Sequence, residues 1–386
     1  MQNNNKNSSS PDAENISLPL NRLDNNLSAS SKLKLGLSSQ PFLGLAALLL
    51  SILLSLGVIS LFTPATFATW VTFFVVVCVP VQIVIGMVWQ ANYPASLNFP
   101  QPAKGIVAML LTLVVAAGIA TTIFFTQSGA VSPPTPFTLM YVIFSVLVAF
   151  WFVIVWGCWP LSAFTKNQFL LGLGILLVTY FVGYLLFAAL FNFDAMVQAP
   201  FYSAEFDPKG AFPAFYILSY SVTTVSVIFA CVLLDFWPIT KFAAFRTQPL
   251  MGLVSTIYIL SVAAGIFWVG VGGIGIDPVM FMVHVSIAFL FGALVPLIMF
   301  EGKLFSALPQ PAKGLTSIAI AVVAGAVLPR IYAAASTYIS GPLQSGAPSY
   351  QFEFWMASAL LAMTFPIMVV VGSYFNFWPL RTQSRD

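Results

Sequence analysis

The chain has 386 residues, 59% of them hydrophobic and only 6% charged, with 37 phenylalanines. A soluble domain carries roughly 25% charged residues, so a water-covered globule is excluded and a bilayer is the solvent that fits. The net charge of +3 is too small and too scattered for a nucleic-acid footprint.

The first 39 residues stand apart. Asn3, Asn4, Asn5, Ser8, Ser9, Ser10 and the stretch 25–31 are polar and lack apolar periodicity. Such a segment cannot bury enough apolar area to offset the entropy of ordering, so residues 1–39 read as a disordered cytoplasmic tail. The long polar stretch before the first apolar run argues against a signal peptide.

About 20 apolar residues span a bilayer as a helix. Ten runs qualify, over 41–63, 67–90, 105–126, 138–159, 169–191, 214–237, 249–270, 278–301, 313–335 and 353–378. A motif of Gln, three residues and Gly opens every odd-numbered run. It reads Gln40-Pro-Phe-Leu-Gly44, Gln101-Pro-Ala-Lys-Gly105, Gln168-Phe-Leu-Leu-Gly172, Gln248-Pro-Leu-Met-Gly252 and Gln310-Pro-Ala-Lys-Gly314. Such periodicity marks a repeat architecture. The fold class is an all-α polytopic membrane protein of ten transmembrane helices, built as five tandem helical hairpins and expected to be pseudo-five-fold. The hairpins cover 40–100, 101–167, 168–247, 248–309 and 310–380 within a transmembrane domain of 40–380. Residues 381–386 form a cytoplasmic tail. Proline after Gln suits a first helical turn, where its missing N–H is not needed, and helix initiation alone accounts for the motif.

Even runs end on an aromatic residue and proline at Tyr93-Pro94, Trp159-Pro160, Trp237-Pro238 and Trp378-Pro379; the fourth repeat carries Glu301, Gly302 and Lys303 there instead. Aromatics settle at the headgroup level. Pro80/Gly86, Pro296/Gly302 and Pro366/Gly372 share a six-residue spacing, and intramembrane proline kinks a helix. Arg381-Thr382-Gln383 resembles Arg246-Thr247-Gln248, as though another repeat were beginning.

Lys6, Arg22, Lys32, Lys34, Lys104, Lys166, Lys241, Arg246, Lys303, Lys313, Arg381 and Arg385 fall in the tails or the junctions between repeats, and only Lys209 and Arg330 lie opposite. Positive charge stays inside, so both termini and every junction are placed in the cytoplasm, with the chain multi-pass in the cell (plasma or inner) membrane.

Candidate functional residues are few. Gly57, Gly118, Gly183, Gly265 and Gly325 recur deep in the odd helices. Small residues let membrane helices approach; the sharper reading is a glycine ring around a narrow path. His284 lies two turns into the eighth span, Arg330 near the outer end of the ninth, and Asp277 and Glu353 at the openings of the eighth and tenth. Arg330 is expected to pair with one of these acids or, as a fixed charge with a fork of donors, to attract an anion. Asp235 with Lys241 and Glu301 with Lys303 read as interfacial pairs. Ser219, Tyr220, Ser221, Thr223, Thr224 and Ser226 either join helices or line a polar path, and the aromatic loop 192–213 either caps an opening or docks a partner.

A single histidine cannot ligate a bis-His haem or a His-rich metal site, and neither a Walker loop nor a hydrolase motif is present. No acid lies near the middle of a span, where a coupling carboxylate would sit. Enzymatic activity, a metal and a cofactor are therefore not expected. Cys78, Cys158 and Cys231 lie in apolar runs and read as reduced packing residues.

On Gly57, Gly118, Gly183, Gly265 and Gly325 the chain resembles, in architecture, the tellurite-resistance and slow-anion-channel family. That resemblance implies ten helices in five hairpins around a pseudo-five-fold pore, with the odd helices innermost. The leading expectation is a passive transporter or channel for a small anion or small neutral solute. The alternative is a non-transporting membrane component. The bilayer and a small solute are the implied partners, nucleic acid is excluded, and a homo-oligomer is compatible with either reading.

Overall fold

A computed structural model of the chain describes residues 39–91, 99–199 and 202–381. The expected N-terminal tail up to Ser38, Tyr93-Pro94, Phe201, Gln383 and Arg385 lie outside them. Ten helices are long and apolar enough to cross a membrane: α1 (Phe42–Ile59), α2 (Pro64–Val88), α3 (Ala103–Thr126), α4 (Pro136–Val155), α5 (Gln168–Leu190), α6 (Ala214–Leu233), α7 (Leu250–Gly273), α8 (Pro278–Met299), α9 (Ala312–Ile339) and α10 (Gln351–Tyr374). The chain is thus a multi-pass integral membrane protein by the length and composition of its helices.

The even helices lie inside and the odd helices outside. In their most apolar stretches the even helices are 61–78% buried and the odd ones 22–39%. The even helices touch in the cyclic order α2, α4, α6, α8, α10 and back to α2. Each odd helix after the first packs chiefly across the even helix before it in sequence, α3 on α2, α5 on α4, α7 on α6 and α9 on α8, while α1 packs across the last helix, α10. The expected pairing of each odd helix with the even helix after it is therefore not the main packing unit. Small residues explain the choice at the α8–α9 crossing. A methyl on Gly292 would run into the Ala321 carbonyl, and one on Gly325 into that of Ala288, so the two backbones meet where only glycine fits.

The Gln motif does more than start helices. Gln40 Nε2 donates to Met299 O (3.0 Å), Gln101 to Tyr374 O (2.8 Å), Gln248 to Val155 O (3.2 Å) and Gln310 to Leu233 O (3.3 Å). Each carbonyl is the last of an even helix, whose final C=O groups have no partner within the helix. The same glutamines accept at Oε1 from the amides of Gly44, Gly105, Gly252 and Gly314. Those glycines and Gly172 lie against the residue just after the end of the clamped helix: Phe300, Phe375, Trp156, Leu234 and Trp89 respectively. In the third copy Trp89 Nε1 donates to Gln168 O at 2.7 Å, and Phe169, standing where the other copies have proline, stacks on Trp89.

Each even helix ends in two consecutive left-handed residues: Gln90–Ala91, Gly157–Cys158, Asp235–Phe236, Glu301–Gly302 and Asn376–Phe377, with φ between 47° and 64°. The second N–H of the pair reaches back six residues in four helices (2.8–3.0 Å) and five in α6 (2.7 Å), closing carbonyls that the last turn leaves open. Pro80 and Pro366 lie four residues before the wide π-helical turns at Val84–Val88 and Val370–Tyr374, and Pro296 lies within the turn at Val295–Met299.

Between α5 and α6, β1 (Phe191–Asn192) and β2 (Phe212–Pro213) pair in parallel and close the aromatic loop on itself. Asp207 accepts from the Phe193 and Lys209 amides and from the Tyr202 hydroxyl. Phe193 is buried against Phe137 of α4.

Candidate functional site

Two features collect the residues that could act: a polar cluster at the molecular face opposite the glutamines, and aromatic contacts through the middle of the inner helices.

Asp277 caps α8, with Oδ1 accepting from Val279 N (2.9 Å) and Met280 N (3.1 Å), while Oδ2 accepts from Tyr350 Oη (2.8 Å). Burial, and next the bond to Asp277, push the Tyr350 hydroxyl up to about 12. Glu353 is wholly buried. Its Oε1 accepts from Ser345 Oγ and its Oε2 from Gly346 N (3.1 Å). His284, with its side chain 46% exposed, stands with Nε2 4.0 Å from Glu353 Oε1. The segment before α10 thus folds back onto the first turn of α10 and onto α8. An ionised carboxylate only accepts, and here the donors come from the protein itself.

Arg330 is not part of this cluster. It is exposed on α9 and makes no ion pair with Asp277 or Glu353. The expected outer-mouth pair with Asp277 or Glu353 is therefore not formed. What gathers is two carboxylates and a histidine. The partner that matters, Tyr350, has no charge to single it out in a chain with 12 tyrosines.

The five deep glycines do not meet either. Gly57, Gly118 and Gly265 are exposed on outer faces, and a methyl on any of them would have no heavy atom within 4 Å. Gly183 lies against Ser145 of α4 and Gly325 against Ala288 of α8. The odd helices are the less buried ones, and their five glycines are not gathered against one another.

Through the centre run phenylalanines. Phe150 of α4 touches Phe229 of α6 (5.1 Å between centroids) and Phe365 of α10 (6.1 Å). Helices α4 and α10 are not neighbours in the cyclic order, so this contact crosses the ring. Nearer the opposite face, Phe215 of α6 reaches Tyr350 (5.8 Å) and Phe354 of α10 (6.0 Å), a second crossing. Such tilted aromatic pairs contribute about 0.5–1.5 kcal/mol beyond burial.

The serines and threonines of the α6 hydroxyl run are buried, while Tyr220 is half-buried and donates to Leu260 O of α7. Thr223 Oγ1 and Ser286 Oγ of α8 lie 2.7 Å apart, and Ser226 Oγ donates to Ser286 O at 2.8 Å. These groups join two inner helices. Ser219 Oγ and, on α2, Gln82 Oε1 are buried without a hydrogen-bond partner. Among the described residues no group of three or more His, Cys, Asp or Glu is placed to hold a metal.

On the Gln face, Asp235 pairs with Lys313 (3.7 Å) rather than with Lys241, and Glu301 pairs with Lys303 (3.3 Å) and with Arg381.

Comparison with protein-family models, with curated proteins and with solved structures finds no match.

Proposed function

We propose that the chain is a passive membrane conduit for a small neutral solute, with its path inside the ring of even helices. The observation that carries this reading is the purely aromatic closure by Phe150, Phe229 and Phe365 at the centre of five inner helices. Rings meeting across an axis form a constriction that rotamer changes can open, whereas a packed bundle has no axis to close. Five inner and five outer helices, with the same glutamine clamp repeated at four of the five junctions, support a pseudo-five-fold architecture of the kind implied by the tellurite-resistance and slow-anion-channel resemblance. The even helices take the inner place that the resemblance gives to the odd ones, so its site residues do not transfer.

The neutral solute is favoured over the anion by charge. The even helices carry no Lys or Arg, and Arg330 lies on an outer helix. A desolvated anion would find no lysine or arginine on these helices to offset lost hydration. Ser219 Oγ and Gln82 Oε1, buried without a hydrogen-bond partner, offer polar contacts suited to a small uncharged molecule. Localisation in a cell membrane with both termini cytoplasmic rests on the positive charge of the Gln face.

The test is osmotic flux of glycerol and urea into liposomes holding the purified chain. Phe150→Ala with Phe365→Ala is expected to raise flux about ten-fold, as for a barrier lowered by ~1.4 kcal/mol; Arg330→Ala is expected to leave it unchanged. The second reading, a non-transporting membrane component, is favoured by how completely the rings fill the centre. Folded wild-type and double-variant protein that both pass no osmolyte would establish it.

A further inference from the structure

Aromatic rings close the ring of even helices at two levels. The outer closure is Phe215 of α6 against Tyr350 and Phe354 of α10, at 5.8 and 6.0 Å between centroids, with Tyr350 and Phe354 themselves 6.1 Å apart. The central closure is Phe150, Phe229 and Phe365. About 21 Å of helix separates Phe215 from Phe229 on α6, at a rise of 1.5 Å per residue. Phe215, Ser219, Ser226 and Phe229 follow one another at spacings of four, seven and three residues, so they share one face of α6. Ser219 thus lies one turn inside the outer closure, and it is wholly buried.

Five of the six hydroxyls in this run of α6 find acceptors. Tyr220 donates to Leu260 O, Ser221 to Ile217 O, Thr223 to Ser219 O, Thr224 to Tyr220 O and Ser226 to Ser286 O. Ser219 Oγ has no partner. A helical serine can bond back to the carbonyl one turn before it, as Ser221 does here, and a buried hydroxyl left unpaired costs stability. The fold therefore gives this hydroxyl nothing to bond, at a level bounded by aromatic rings on both sides. On α10 a second buried hydroxyl, Ser358, lies one turn inside Phe354.

We propose that Ser219 is the centre of a solute-binding site between the two closures. The site rests on the conduit reading above, and it narrows the solute to a small uncharged molecule that carries an alcohol or amide group. A serine hydroxyl both donates and accepts hydrogen bonds, so it pairs with either group. A site built to hydrogen-bond its ligand rejects analogues that lack the matching group, which disfavours apolar molecules of the same size.

Saturation-transfer NMR on the full chain in detergent reads binding of two probes, glycerol and acetamide, whether or not either is transported, with protein-free micelles as the blank. Ser219→Ala is expected to weaken binding about five-fold, the scale of one neutral hydrogen bond. It is also expected to melt no lower than wild type, because its hydroxyl has no partner in the fold. Ser221→Ala, which lies off that face and is engaged by Ile217 O, is expected to bind as wild type does. Ser219-dependent binding of one probe alone assigns the alcohol or the amide class. Three results would each overturn the site: no binding of either probe by wild type, equal binding in wild type and Ser219→Ala, or a lower melting temperature for Ser219→Ala. Urea flux through wild-type liposomes would then leave the conduit standing without this site, and absent flux would remove both.

Discussion

Glu301 shows what one side chain can do at a junction. It receives Gln40 of α1, Lys303 of its own turn and Arg381 beyond α10, so one carboxylate ties together segments from both ends of the transmembrane domain. Burial raises its pKa, but the hydrogen bonds from Arg381, Gln40 and Lys303, with the Arg381 charge, outweigh it and hold the carboxyl below its usual range. A carboxylate with a depressed folded pKa stabilises the fold above its unfolded value of about 4.3, and that stability is lost as pH falls through the folded pKa. The group is partly exposed, so the effect is expected to be about 1 kcal/mol or less. Melting temperature measured from pH 6 to pH 3 should fall more steeply for wild type than for Glu301→Gln; parallel curves would mean the contact contributes nothing.

Among the helices, glycines that look alike in the sequence should behave differently. Gly292 and Gly325 lie where two backbones touch, and Gly314 lies against Leu234. Alanine at any of these is expected to destabilise by about 1–3 kcal/mol, since overpacking forces the helices apart. Gly57→Ala, Gly118→Ala and Gly265→Ala point into open space and are expected to stay within about 0.5 kcal/mol. Thermal unfolding of the six variants separates the two groups, and a loss of flux in the outer three would restore a path along the odd helices. Gln310→Ala should cost about 1 kcal/mol through the lost bond to Leu233 O, read in the same assay. The motif's spacing was legible as a repeat, but its purpose was not. Its partners, Met299, Tyr374, Val155 and Leu233, lie 259, 273, 93 and 77 positions away in sequence.

For the whole molecule, the first helix docks as the others do. Gln40 clamps α8 as Gln101 clamps α10, and α1 leans across α10. The ring therefore closes on itself, and Gln40 and Arg381 meet on one carboxylate oxygen. A circular permutant that begins at residue 99 and carries 39–98 after a short linker from 381 is expected to fold, with a loss of about 1–2 kcal/mol, as permutation is tolerated where chain ends lie close together. Size-exclusion elution and melting temperature check this; an aggregated permutant with a wild-type-like linker control would count against closure.

Residue chemistry by itself determined the bilayer, the ten helices and the places where they start and stop. Each of those depends on runs of apolar side chains, glutamine, proline and aromatics acting over a few turns. The tertiary structure alone decided which helices are inside, that each odd helix after the first lies across its predecessor, and that Tyr350, rather than Arg330, joins Asp277. The physical reason is that lipid is as apolar as a protein core. A helix facing lipid and a helix facing its neighbours can therefore read alike, and only packing, through glycines under crossing backbones and carbonyls met by distant glutamines, tells them apart.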